Sequence, residues 1–229
     1  MSHEKISATF DDWAAKGHAA GMQNDHQDVV QQVISQLSFK AGEQVLDLGC
    51  GNGWATRLLA NGAPGSGAIG IDAAPKMIAE AESNHDYTYR ARYEVGVFEK
   101  LDFPDERFDK VFSMEALYYA VDLESAVSEI FRVLKSGGSA EIIIDCYREA
   151  ATTESWGATV GLELNWLHEA EWQAHFERAG FTSVQLERVI DSRPPAELSE
   201  CVSGTDCESP EERVARHAVG SLWIRATKA

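Results

Sequence analysis

The stretch Val45-Leu46-Asp47-Leu48-Gly49-Cys50-Gly51-Asn52-Gly53 decides the fold of this 229-residue chain. An apolar run, Gln44 to Leu48, enters glycines at positions 49, 51 and 53, and a helix-forming stretch from Trp54 to Asn61 follows. Glycines so spaced let the backbone turn sharply at the carboxyl end of a strand and approach a ligand with no Cβ in the way. Ligands bind at such ends in open α/β sheets. A second apolar run, Ala68 to Asp72, ends on a carboxylate 19 residues beyond Gly53, placed to accept hydrogen bonds from ribose hydroxyls. A nucleoside ligand is implied.

Outward from this unit, short apolar runs alternate with amphipathic stretches, the pattern of βα units and a mostly parallel sheet. Further strands are expected at Ala91 to Val97, Lys110 to Ser113, Ala140 to Cys146, Ser183 to Val189 and Ser221 to Ala226. Helices are expected at Lys76 to Ser83, Leu123 to Leu134 and Glu169 to Ala179, the last two closed by Gly137 and Gly180 as left-handed caps. The fold class is therefore α/β: a Rossmann-like, seven-stranded, mostly parallel sheet with helices on both faces and the last strand antiparallel. One domain, 1–229, is expected. Residues 1–40 form a helical cover whose second half, with Val29, Val30, Val33, Ile34 and Leu37 at helical spacing, packs on the sheet, and 192–210 form an exposed loop.

Charge narrows the partners. With 20 Lys and Arg against 37 Asp and Glu the net charge is −17, which repels a polyphosphate and argues against nucleic acid, while aiding solubility or suiting a high-salt habitat. No apolar run approaches the roughly 18 residues of a membrane span, so a cytoplasmic location is expected. Cys50, Cys146, Cys201 and Cys207 form no CxxC pair, so reduced thiols and no metal site are expected.

The nucleoside is narrowed by two residues. A dinucleotide fingerprint needs glycine at position 54, where Trp54 would crowd a pyrophosphate, and Asp47 adds an anion where phosphates would lie. Both suit a cationic ligand. S-adenosylmethionine (SAM) carries an ammonium, a sulfonium and a ribose but no phosphate. With this loop, Gly70-Ile71-Asp72, Leu101 to Asp105, Phe108 to Leu117 and Glu129 to Gly138 in order, the sequence resembles the class I SAM-dependent methyltransferases, and within them the ubiquinone/menaquinone-type small-molecule enzymes.

The resemblance implies that Asp47, Gly49 and Gly51 hold the methionine moiety and Asp72 the ribose, with Ala73 and Met77 bordering the adenine. Cys50, Asn52, Gly53 and Ser113 complete the expected cofactor set. Val97-Phe98 stands where many relatives carry an Asp-Ala pair facing the adenine amino group, leaving Glu99 as the nearest carboxylate. Transfer of a methyl group to a small-molecule acceptor by in-line displacement follows as the expected activity, with a base needed only if the acceptor arrives protonated. His26, Glu115, Tyr118 and Tyr119 are the candidate catalytic residues. Trp13, Tyr118, Tyr119 and Trp156 favour a small planar, apolar or cationic acceptor. A nucleotide-dependent oxidoreductase and a SAM-binding protein without turnover stand as the competing readings.

Overall fold

The computed structural model describes residues 2–195 and 209–229. Among them, strands β1 (Gln44–Leu48), β2 (Gly67–Asp72), β3 (Ala91–Val95), β4 (Phe108–Met114), β5 (Leu134–Ile144), β6 (Ser183–Val189) and β7 (Ser221–Thr227) form one sheet in the order β3-β2-β1-β4-β5-β7-β6. The β1 to β5 pairings are parallel, and β7 runs antiparallel between β5 and β6. The chain winds outward from β1 through β2 to β3, then crosses back to β4 on the other side of β1. That reversal opens a crevice at the carboxyl ends of β1 and β4.

Helices α1 (His3–Ala15), α2 (His18–Gln36), α3 (Trp54–Ala60), α4 (Pro75–Ser83), α5 (Leu123–Val133), α6 (Trp156–Val160), α7 (Glu169–Ala179) and α8 (Pro210–Val219) accompany the strands. On one face of the sheet Phe112, Ile143 and Trp223 pack against Val30 and Val33 of α2 and Leu59 of α3. On the other, Val111, Ile142 and Ile224 meet Val127 and Ile130 of α5 and Trp172 and Phe176 of α7. Strands covered on both sides carry continuous apolar runs, which is why β1, β2 and β5 read so plainly in the sequence.

Two distant sequence stretches are held together by one guanidinium. Arg132 donates to the carbonyls of Leu101 (2.9 Å) and Phe103 (2.7 Å) and to the carboxylates of Asp105 and Glu129, while Glu129 accepts from the Leu101 amide at 2.7 Å. The planar fork of arginine, rather than charge alone, allows this.

Several expectations need correction. Gly180 caps α7 in the left-handed region, but α5 ends directly into β5 at an extended Leu134; Gly137 instead lies in an irregular stretch of β5, its amide donating to Lys228. The helical cover begins at His3 and breaks at Lys16–Gly17, giving two helices. Of 192–210, residues 196–208, with Cys201 and Cys207, lie outside the described residues, and Pro210 opens α8, which the loop expectation missed. Its signal was present: the Ser209 hydroxyl accepts from the Glu212 amide and the Glu212 carboxylate accepts from the Ser209 amide, an S-x-x-E capping box.

The turn from β1 into α3 leaves no room for a side chain at its last glycine. At Gly53 φ is +76°, and an added Cβ would lie 2.4 Å from Tyr93 Cε1. Gly53→Ala is expected to lower stability by about 2–5 kcal/mol in urea unfolding, from left-handed strain plus overpacking.

Candidate active site

The register that sets Leu48 beside Ile71 places the carboxyl ends of β1 and β2 side by side. The amides of Gly49 (2.8 Å) and Cys50 (3.0 Å) both donate to the Ile71 carbonyl, which bends the glycine loop over β2. One step on, the Gly51 amide donates to Asp72 Oδ2 and the Ala74 amide to Asp72 Oδ1, both at 2.9 Å. Asp47 is buried and accepts from the Thr56 hydroxyl at 2.6 Å. Burial pushes the Asp47 carboxyl up to about 7 against the Thr56 hydrogen bond, and the charge of Asp72 adds to the rise. Burial likewise raises Asp72 to about 6, opposed by the Ala74 and Gly51 amides.

These residues wall a cavity at the switch point. It brings together Asp47, Gly49, Cys50, Gly51, Asn52, Asp72, Ala73, Met77, Val97 and Phe98 of the expected cofactor set, with Glu115, Tyr119 and His26 of the expected catalytic set. Among the described residues lining it there is no lysine or arginine, so a diphosphate would find no cation. A SAM-type ligand fits what is present. Gly51, with φ +51°, faces open space where a Cβ would intrude, and Asn52 Oδ1 is a buried acceptor with no partner. Glu99, which also lines the wall, is taken up by the Val121 and Asp122 amides and by His3.

A second cavity, of about 840 Å³, adjoins the first. The two share Phe10 and the α2 residues Met22 and His26, together with Glu115 and Tyr119. Its walls carry Trp13, Tyr118 and Trp156, and its far side is closed by α8 through Arg213, Arg216 and His217. The sequence reading missed α8 here because it took the preceding residues for a loop. It also left His3, at the start of α1, out of the site.

At the junction Glu115 adopts φ +51°, an uncommon conformation for a residue with a side chain, and this turns its carboxyl back toward β5. Oε1 accepts from the Asp145 amide and Oε2 from the Tyr118 hydroxyl at 2.9 Å. Burial, reinforced by the charge of Asp145, raises Glu115 well above the carboxylate range. Tyr119 accepts from Trp156 Nε1 at 2.8 Å, and burial raises its hydroxyl too. His26 Nδ1 lies 3.9 Å from Asp145 Oδ2.

Two expected site residues, Gly53 and Ser113, line neither cavity. Gly53 packs under the Tyr93 ring and does not line the cofactor cavity. Ser113 is fully buried and donates to the Leu48 carbonyl at 2.8 Å, tying β4 to β1 below the cavity floor. Tyr118 lines the second cavity and not the first, because its hydroxyl is directed to Glu115. Among the described residues no group of three His, Cys, Asp or Glu is placed to hold a metal ion, and no helix is long and apolar enough to cross a membrane.

Comparison with known proteins bears on the same region. A family profile described as a methyltransferase domain matches residues 46–142. A solved structure, the complex between the Haloferax volcanii Trm112 methyltransferase activator and the putative methyltransferase, superposes with TM-score 0.85 at 30% identity, over 95% of this chain and 96% of that one. The chain belongs to the class I SAM-dependent methyltransferases. Among curated relatives, a sterol 24-C-methyltransferase from Aspergillus fumigatus is 31% identical over 173 residues, 70% of this chain and 45% of the relative. An uncharacterized methyltransferase from Synechocystis is 38% identical over 110 residues, 47% of this chain and 50% of that protein. The chain thus spans half or less of the length of these relatives.

The raised carboxylates of this methyltransferase give a stability signature. Folded-state values above the unfolded ones mean that their contributions are complete below about pH 4 and are lost as pH rises through about 6 for Asp72 and about 7 for Asp47. Without ligand, Asp47→Asn should therefore be more stable than the parent at pH 8, by on the order of 2 kcal/mol, and the difference should close toward pH 4. Urea unfolding at both pH values checks this.

Proposed function

We propose that this methyltransferase transfers a methyl group from SAM to a small, planar acceptor held in the second cavity. The observation that carries the reading is the pairing of two spaces. One is walled by the carboxylates Asp47, Asp72, Glu99 and Glu115 with no lysine or arginine, the other carries the rings of Trp13, Tyr118 and Trp156, and five side chains border both. The volume of the second suits a small molecule.

SAM supplies an electrophilic methyl group on a sulfonium. The chain's own residues do the holding. Asp72 keeps its two backbone hydrogen bonds and uses its remaining lone pairs for the ribose hydroxyls. Asp47 answers the ligand's positive charge, and the loop Gly49 to Asn52 offers its backbone and the unpaired Asn52 Oδ1 to the methionine end. Met77, Ala73 and Phe98 give the adenine an apolar bed. The helices α1 and α2 cover the junction and keep it dry, and the aromatic walls orient the acceptor in line with the methyl group. We place the protein in the cytoplasm.

Asp72→Asn is expected to weaken binding of S-adenosylhomocysteine (SAH) by about 10- to 100-fold in calorimetric titration, the loss of hydrogen bonds to a charged acceptor. NAD binding by a chain that ignores SAM and SAH would instead restore the oxidoreductase reading.

A second reading concerns assembly. The likeness to the methyltransferase chain solved with Haloferax volcanii Trm112 extends over nearly the whole of both chains. On that ground we propose that this chain also pairs with a Trm112-type activator. Co-expression with the Haloferax protein is expected to yield a co-purifying complex; two separately eluting proteins would overturn the pairing.

A further inference from the structure

We infer that the acceptor is a planar molecule whose nucleophilic atom bears an exchangeable proton, and that His26, backed by Asp145, removes that proton. The inference rests on the methyl-transfer reading and adds to it the class of acceptor and the group that activates it.

The argument runs by elimination at the junction. A base for the transferring atom must border both cavities, and five side chains do: Phe10, Met22, His26, Glu115 and Tyr119. Phe10 and Met22 take no proton. Both carboxyl oxygens of Glu115 are already engaged, by the Asp145 amide and the Tyr118 hydroxyl. Tyr119 accepts from Trp156 and, buried, holds its own proton. His26 remains. Its Nδ1 faces Asp145 Oδ2 at 3.9 Å, a Coulombic rather than hydrogen-bonding distance, and its other ring nitrogen is left for the acceptor.

A second observation points to a polar ligand in the same chamber. His18 Nδ1, Asp145 Oδ1 and Thr152 Oγ1 are buried atoms with no hydrogen-bond partner, and all three residues line the second cavity. Orphaned polar atoms around one cavity are what a ligand with polar substituents would satisfy. An aprotic acceptor such as an isolated alkene would leave both them and the histidine–carboxylate pair without a task.

The step balances without another reactant. The bond from the acceptor heteroatom to the methyl carbon forms as the methyl–sulfur bond breaks, the electron pair stays on sulfur to give the thioether SAH, and the proton passes from the heteroatom to His26.

Two measurements test this. The first is turnover of a panel of phenols, catechols and aromatic amines, set beside aprotic alkenes, by wild type, His26→Asn and Asp145→Asn. The second uses 4-nitrophenol as a chromogenic probe bound to the SAH complex, at a pH where the free probe is mostly neutral. The expected results are methylation of protic acceptors, a fall in kcat of about 100- to 10,000-fold for His26→Asn with KM little changed, and a loss that shrinks as the acceptor becomes more acidic. The probe should appear as phenolate on wild type and as neutral phenol on either variant, with SAH affinity retained. Asp145, acting through His26, should lower kcat by less than His26 itself. Methylation insensitive to His26, or a probe bound neutral on wild type, overturns the inference and leaves the methyl-transfer reading standing. SAM binding with no product from any acceptor overturns that reading and this inference together.

Discussion

Everything at the cofactor end of this molecule depends on one carbonyl. Ile71 sits at the end of β2 and accepts from two successive amides, Gly49 and Cys50, so the chain leaving β1 is drawn across its neighbour. This brings the Gly51 amide onto Asp72 and leaves the buried Asp47 close enough for the charge of Asp72 to add to the rise of its carboxyl. A parallel register thus becomes an electrostatic arrangement. The same arrangement destabilises the ligand-free protein above neutral pH, because two partly desolvated carboxyls must ionise there. A cationic ligand with ribose hydroxyls supplies what the apo site lacks. The site is built for its ligand at the expense of the empty fold, a trade common at functional sites.

How much of this was legible depended on whether the signal was local. β1, β6 and α7 fall on their expected bounds because their periodicity is set by burial on the flanking residues alone. Asp47 and Asp72 were legible as strand-end carboxylates on either side of a glycine loop. Apart from α8, whose capping box is a local signal, the misses are non-local. Gly137 looks like a helix cap after an amphipathic run, but α5 flows straight into β5, and only the pairing with β4 and the last residues of the chain makes the glycine part of an irregular strand. Gly53 shares its spacing with Gly49 and Gly51, yet its partner is the Tyr93 ring from β3, some forty positions away in the chain. Ser113 reads as a strand-end hydroxyl facing a ligand and is instead spent on the Leu48 carbonyl.

Glu115 shows the same limit from the other side. Its type and its place at the end of β4 were visible in the sequence, but not its left-handed backbone, which sends the side chain to the Asp145 amide and the Tyr118 hydroxyl rather than toward a ligand. A carboxylate so engaged joins the ends of β4 and β5 and fixes the tyrosine pair, whose rings lie 4.4 Å apart. It acts as a strut between the two cavities. In the inferred reaction the proton-accepting task then falls to His26, the titratable junction residue that is not so tied.

The two halves of the site are made by different kinds of chain. The floor of the cofactor half comes from strand ends and the elements directly after them, within the 46–142 span that the methyltransferase-domain profile matches, while α1 and α2 roof it through residues such as His3, Ile6 and Ala19. The acceptor half is assembled from α1 and α2 ahead of β1 and from α6 and α8 beyond β5, with only Glu115, Tyr118 and Tyr119 drawn from that span. A sheet must keep its register to keep its core, so the first half is constrained by folding as much as by chemistry. The faces that the covering helices turn to the open end carry no such constraint, although Val30 and Val33 hold α2 to the core. Lining residues on those faces can change while β1, β2 and β4 stay in place, and relatives that share the cofactor half need not share an acceptor. On the proposed reading, recognition of the acceptor is therefore concentrated in the covering helices, where Trp13, His26 and Trp156 border the second cavity.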